Sequence, residues 1–112
     1  MHKQLRTTLL LPLLAAAIFA NTTPAHAADG EAIVKKARCV ACHAVDQKRV
    51  GPAYKDVATK YRGDSGAPGK LFEKVRAGGS GNWGEIPMLA HPADKISDDD
   101  LHAAIKWILA LE

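Results

Sequence analysis

The run Cys39-Val40-Ala41-Cys42-His43 holds both cysteines of a 112-residue chain, three positions apart, with a histidine directly after the second. This is the spacing of c-type haem attachment. Two thiols so placed can add to the two vinyl groups on one edge of a porphyrin, and the backbone between them then sets His43 beneath the iron as its proximal ligand. Two close cysteines could also form a thioredoxin-like redox pair, a structural disulfide or half of a zinc site. The redox pair needs a βαβ context that no pattern here supplies, and zinc needs further Cys or His at ligand spacing. The chain has no other cysteine. Thioether formation would use up both thiols, which in an exported chain would otherwise pair. One covalently bound haem c (iron) is therefore the expected cofactor, held by Cys39 and Cys42.

Export is legible at the start of the chain. His2, Lys3 and Arg6 make a positive start, Leu9 to Ala20 is apolar throughout, and Ala25-His26-Ala27 offers the small residues of a signal-peptidase site. The apolar run of 12 residues is well short of the roughly 20 that a spanning helix needs. Residues 1–27 are read as a cleaved secretory signal peptide and 28–112 as a single domain. With no cysteine beside the cleavage site and no Arg-Arg pair, the expected destination is a soluble oxidising compartment, in a bacterium the periplasm. No membrane insertion is expected. Of the 15 basic and 12 acidic residues, only Lys3 and Arg6 lie in the leader, so the remaining 85 residues carry 13 and 12. That balance gives no reason to expect nucleic acid as a partner, since phosphate binding relies on a basic surface.

Helical patterns dominate the rest. Asp29 is placed to cap a first helix through Glu31, Ala32, Ile33, Val34 and Lys36, ending near Arg38. After Gly51-Pro52, the residues Tyr54, Val57, Ala58 and Tyr61 share one face of a short helix. A turn-rich connection over Gly63 to Gly69 precedes a second short face of Leu71, Phe72 and Val75, which Gly78-Gly79 ends. Ser97 caps a last helix whose Asp98, Asp99 and Asp100 face the positive end of its dipole, with Leu101, Ala104, Ile105 and Ile108 as its apolar stripe. Trp107 lies one residue off that stripe. No alternating strand pattern of convincing length is present, so the expected fold class is all-α. About four short helices on long loops bury little apolar surface by themselves, and the fold is expected to wrap around the haem.

The sixth iron ligand decides between an open site, which binds small molecules, and a closed one, which passes electrons. Met88 is the only methionine beyond the leader, 45 residues after His43 and directly behind Pro87 in a glycine-rich loop. It is read as the distal ligand; its thioether favours ferrous iron and raises the potential. His91, on the same loop, and His102, in the first turn of the last helix, are the competing donors. His102 is read as a solvated surface residue, and His91-Pro92 as shaping the loop exit.

With Val50-Gly51-Pro52-Ala53-Tyr54-Lys55-Asp56-Val57-Ala58, Gly78 to Met88 with Trp83, and Ser97-Asp98-Asp99 with Lys106-Trp107-Ile108-Leu109, the chain resembles the class I c-type cytochromes, specifically the small bacterial periplasmic monohaem type called cytochrome c-551. The resemblance implies the small cytochrome c fold. It also implies that the Pro52 carbonyl orients the ring of His43, that Trp83 hydrogen-bonds a haem propionate, and that the last helix packs on the first through Trp107 and Ile108. Lys74 or Arg76 is a further candidate partner for a propionate. The family often has Pro-Pro-Asn after the ligand methionine; here Leu89-Ala90-His91 stands instead.

The function expected from this reading is a soluble periplasmic one-electron carrier, not an enzyme, acting as a monomer between respiratory redox proteins. By resemblance the donor is a quinol-oxidising cytochrome complex or a copper protein, and the acceptor a nitrite reductase, peroxidase or terminal oxidase. Lys35, Lys36, Arg38, Lys48 and Arg49 near the cysteines could steer acidic partners. The alternative from another class is a haem-based sensor or weak peroxidase with a displaceable sixth ligand.

Overall fold

The computed structural model describes residues 25–112, so all but the last three residues of the expected signal peptide lie outside the described residues. Four helices appear: α1 (Ala25–Lys36), α2 (Tyr54–Lys60), α3 (Ala67–Ala77) and α4 (Asp98–Leu109). A 3₁₀ turn over Cys39–Ala41 follows α1, and a hairpin of β1 (Gly79–Gly81) and β2 (Gly84–Met88) separates α3 from α4. Mostly helical as expected, the fold thus adds one small antiparallel sheet. Its register pairs Gly79 with Met88 and Gly81 with Gly84, with an irregularity between. Strands this short and glycine-rich have no side-chain alternation to read.

Three element boundaries differ from the sequence reading, each for a local reason. α1 begins at Ala25, so Asp29 sits inside the helix rather than capping it; Ala25, Ala27 and Ala28 are strong helix formers that carry the helix upstream. At its other end α1 stops at Lys36, and Arg38 takes the left-handed conformation, φ 62°, alone among the non-glycine residues described. That residue redirects the chain into the cysteine turn. α3 begins at Ala67, inside the stretch read as a connection, because Pro68 falls in the first helical turn, where its missing N–H leaves no bond unmade. Asp64 secures that start by accepting from the Gly66 N–H at 2.8 Å and from Lys70 Nζ at 2.7 Å.

α4 matches its signals closely. Ser97 Oγ accepts from the Asp100 N–H at 3.2 Å, and the three aspartates occupy the first turn. The helix packs on two sides. Leu101 and Ile105 join Ile96 in a cluster with Leu71, Phe72 and Val75 of α3, while Ala104 joins Val34 and Tyr54 in a second cluster that includes Trp107, Ile108 and Cys39. Trp107 therefore belongs to a second apolar face rather than to the margin of the first. It is placed by Gly30 of α1, which is buried at the crossing, where an added Cβ would overlap the Trp107 Cβ and Cγ. Only glycine allows this approach of the two helices. The same tryptophan meets Tyr54 of α2 edge-on, with centroids 5.7 Å apart.

Gly30→Ala should lower the unfolding free energy of the haem-loaded protein by about 1–3 kcal/mol through overpacking, and Trp107→Ala by about 3–5 kcal/mol through the cavity it leaves. In denaturant titrations the double variant should lose less than the sum of the two, because the contacts with Cγ and Cδ1 vanish with the indole and free the helices to adjust, while only the Cβ contact remains. Strict additivity would refute the crossing as the seat of both effects.

Candidate metal centre

The cysteine turn is built by backbone bonds that fold three residues over one another. Ala41 N–H donates to the Arg38 carbonyl at 3.1 Å, and Cys42 and His43 both donate to the Cys39 carbonyl, at 3.1 and 3.0 Å. Both thiols are free and half-buried. Burial pushes the Cys39 thiol above its ordinary range, its own backbone partly offsets this, and the neighbouring Cys42 adds to the rise. Cys39 is thus an uncharged thiol at neutral pH, set against the cluster of Val34, Tyr54 and Ala104.

His43 is held on three sides. Beyond it the chain doubles back, with Gly51 N–H donating to the Cys42 carbonyl at 2.8 Å, Tyr54 to Ala44 at 2.9 Å and Lys55 to Val45 at 3.1 Å. This pairing brings the Pro52 carbonyl to 2.7 Å from His43 Nδ1. A carbonyl can only accept, so Nδ1 carries the proton and the lone pair of Nε2 is left for a metal. Tyr54 lies nearly parallel to the imidazole, 5.4 Å between centroids and 18° between planes. Gly51 passes against the ring: a Cβ there would stand 2.8 Å from Nδ1 and 2.9 Å from Nε2. Sequence reading placed Tyr54 on one face of a short helix and Gly51 just ahead of it; their contact with the histidine came only from the fold. The run Gly51-Pro52-Ala53-Tyr54 was the signal available.

The remaining predicted residues lie on the hairpin. Met88 ends β2, half-buried and paired with Gly79. Gly78, at φ 68°, lets the start of the hairpin press on the stretch after Met88: a Cβ on it would meet the Met88 carbonyl at 2.5 Å and the Ala90 nitrogen at 2.7 Å. Trp83 sits in the hairpin turn, 40% exposed, with Lys60 Nζ of α2 over its ring at 4.6 Å and donating to the Asn82 carbonyl at 3.0 Å. Of the competing histidines, His91 turns Nδ1 to the Leu89 carbonyl at 2.8 Å, which fits its expected part in shaping the loop. His102 is exposed on α4 and stacks on Phe72 at 4.5 Å. Arg76 spends its guanidinium on the chain itself, at the His91 and Ile96 carbonyls and the Asp98 carboxylate.

The residues fit a large apolar group that bonds to sulfur and nitrogen. The exposed large hydrophobics, Val40, Val50, Trp83, Ile86 and Leu89, all lie on the two segments that carry Cys39–Pro52 and Met88. The Tyr54 hydroxyl is buried with no hydrogen-bond partner among the described residues; burial first, then Cys39, drives its pKa upward. Among the described residues no group of three or more His, Cys, Asp or Glu side chains is gathered as a metal site.

The family model for cytochrome c matches residues 27–112. The chain belongs to the cytochrome c family. It is 48% identical over 86 residues to the cytochrome c-551 of Pseudomonas aeruginosa, covering 77% of this chain and 80% of the relative. Likewise it is 44% identical over 77 residues to the cytochrome c2 of Rubrivivax gelatinosus, covering 69% and 91%. Among solved structures, the crystal structure of wild-type Nitrosomonas europaea cytochrome c552 superposes with a TM-score of 0.67 at 45% identity, covering 73% of this chain and 99% of that one. The cytochromes of this family carry c-type haem, and Cys39 and Cys42 with His43 fit its attachment motif.

Gly51→Ala should push the imidazole off the Pro52 carbonyl. The expected result is a lower ratio of haem to protein after maturation and a shifted His43 Nδ1–H resonance in the ferrous NMR spectrum. Wild-type loading with an unmoved resonance would show that the ring does not depend on Gly51.

Proposed function

We propose that this cytochrome is a soluble one-electron carrier of the periplasm, formed by residues 28–112 after removal of residues 1–27. The observation that carries the reading is the 2.7 Å bond from His43 Nδ1 to the Pro52 carbonyl, which leaves Nε2 unengaged on the residue that follows two free thiols, Cys39 in the 3₁₀ turn and Cys42 at its C-cap. Relatives named cytochrome c-551 and cytochrome c2 support it. When bound, haem c supplies the Fe(III)/Fe(II) couple.

In this reading Cys39 and Cys42 hold the group through thioethers, so that it cannot dissociate. His43 is the proximal ligand, kept in one tautomer and orientation by Pro52. Met88 is the distal ligand, and its soft sulfur favours the ferrous state. Trp83 donates its indole N–H to a propionate while its ring covers apolar surface. Held by His43 and Met88, the metal would keep no position for a substrate, and the protein's part would be to hold its surroundings constant as the Fe(III)/Fe(II) couple turns over. No described helix is long and apolar enough to cross a membrane. The donor is a quinol-oxidising cytochrome complex or a copper protein, and the acceptor a nitrite reductase, peroxidase or terminal oxidase.

The test is the ferric absorption spectrum of periplasmically matured wild type beside Met88→Ala, with carbon monoxide added to each after reduction. Wild type should show a weak far-red charge-transfer band and resist carbon monoxide; Met88→Ala should lose the band and bind the gas. A wild type without the band that binds carbon monoxide readily would overturn the carrier and favour a sensor or weak peroxidase.

A further inference from the structure

We infer that Arg76, through one guanidinium bonded to both ends of the 91–96 loop and to the start of α4, is the positioning residue that keeps the Met88 sulfur on the iron. The inference rests on the proposed ligation by Met88. Met88 stands at the end of β2, and beyond it the chain runs through Leu89, 76% exposed, before reaching α4. Neither β2 nor this run is covered by an apolar core; the first buried residue after the strand is Ile96. What ties the run down is α3. The His91 N–H donates to the Val75 carbonyl at 2.9 Å. From the next residue, Arg76 Nη1 donates to the His91 carbonyl at 2.9 Å and to the Ile96 carbonyl at 2.8 Å, and Nη2 to Asp98 Oδ1 at 2.5 Å.

The side chain is only 17% exposed, and its guanidinium lies 5.0 Å from the centre of the Phe72 ring. A planar fork can hold three acceptors in one plane while stacking on an aromatic face; a single ammonium cannot. The carboxylate of Asp98 is 70% exposed, so that arm contributes little by itself. The two carbonyl bonds are the holding ones, because losing the cation leaves two partly buried acceptors without their donor. The first of them lies three residues beyond Met88. Freed there, the segment after Met88 can swing without unfolding either helix, and the fraction of molecules with the sulfur off the iron rises.

An external ligand that competes for the same position reads that fraction directly, since its apparent affinity scales with the population of the open form. The experiment titrates imidazole into the ferric holo-protein and follows the far-red band in wild type, Arg76→Met, Arg76→Lys and Val34→Ala, the last a destabilised control in the other cluster. Arg76→Met and Arg76→Lys should each bind imidazole about ten-fold more tightly than wild type, and Val34→Ala should match wild type. Unchanged affinity in Arg76→Met, a wild-type value in Arg76→Lys, or an equal gain in Val34→Ala would each overturn the inference. A wild type with no far-red band would instead sink the ligation by Met88, a failure distinguishable from the others before any variant is titrated.

Discussion

Among the described residues α4 packs against each of the other three helices, and their positions follow from its two faces. Trp107 and Ala104 face α1 and α2, while Leu101 and Ile105 face α3. Of the ten buried apolar residues described, Ala53, Ala58, Ala67 and Ala104 are alanines, so the clusters are small, and besides α4 it is Ile33 of α1 that joins the cluster holding Leu71, Phe72 and Val75 of α3. Close approach compensates for small side chains. At Gly30 the absence of a Cβ lets the indole of Trp107 lie directly on the backbone of α1, which turns a thin contact into a well-packed one. The cysteine turn leaves from the end of α1, and the Met88 loop returns into the start of α4. Both halves of the site are therefore referred to the same helix.

The two halves are held by different physics. His43 is over-determined: paired backbone around it, a carbonyl at Nδ1, a tyrosine ring nearly parallel to its own and a glycine pressed close to the ring. Met88 lies on a glycine-rich two-stranded ribbon, a structure of marginal stability alone, and relies on side chains reaching in from the helices. Lys60 secures the hairpin turn at Asn82 and Trp83, and Arg76 secures the segment beyond the methionine. On the proposed ligation, a rigid proximal side faces a distal side held by a few polar bonds, and ligand exchange would begin at the sulfur.

Much of this was legible beforehand because it is local. The spacing of the cysteines and His43, the cap at Ser97 with its three aspartates, and the face of Tyr54, Val57 and Ala58 each depend on residues within a turn or two of one another. The misreadings arose where a local signal was ambiguous. Asp29 suits a cap, but alanines upstream extended the helix past it; Gly69 suggested a connection, but Pro68 opened a helix there. The hairpin was invisible for a stronger reason, since Gly79, Gly81 and Gly84 have no side chains whose alternation could announce a strand.

By itself, the sequence determined the chemistry at the cysteines, the mostly helical class and the family, because covalent spacing and helical periodicity survive in one dimension. Only the tertiary structure decided which groups act on those residues. That Gly51 and Tyr54 hold His43, that Gly30 receives Trp107, and that Arg76 binds residues 15 to 22 positions away rather than facing solvent are outcomes of packing. Lysines and arginines on a helix read alike in sequence; a guanidinium largely withdrawn from water must find acceptors, and which acceptors are within reach is known only once the loops have closed.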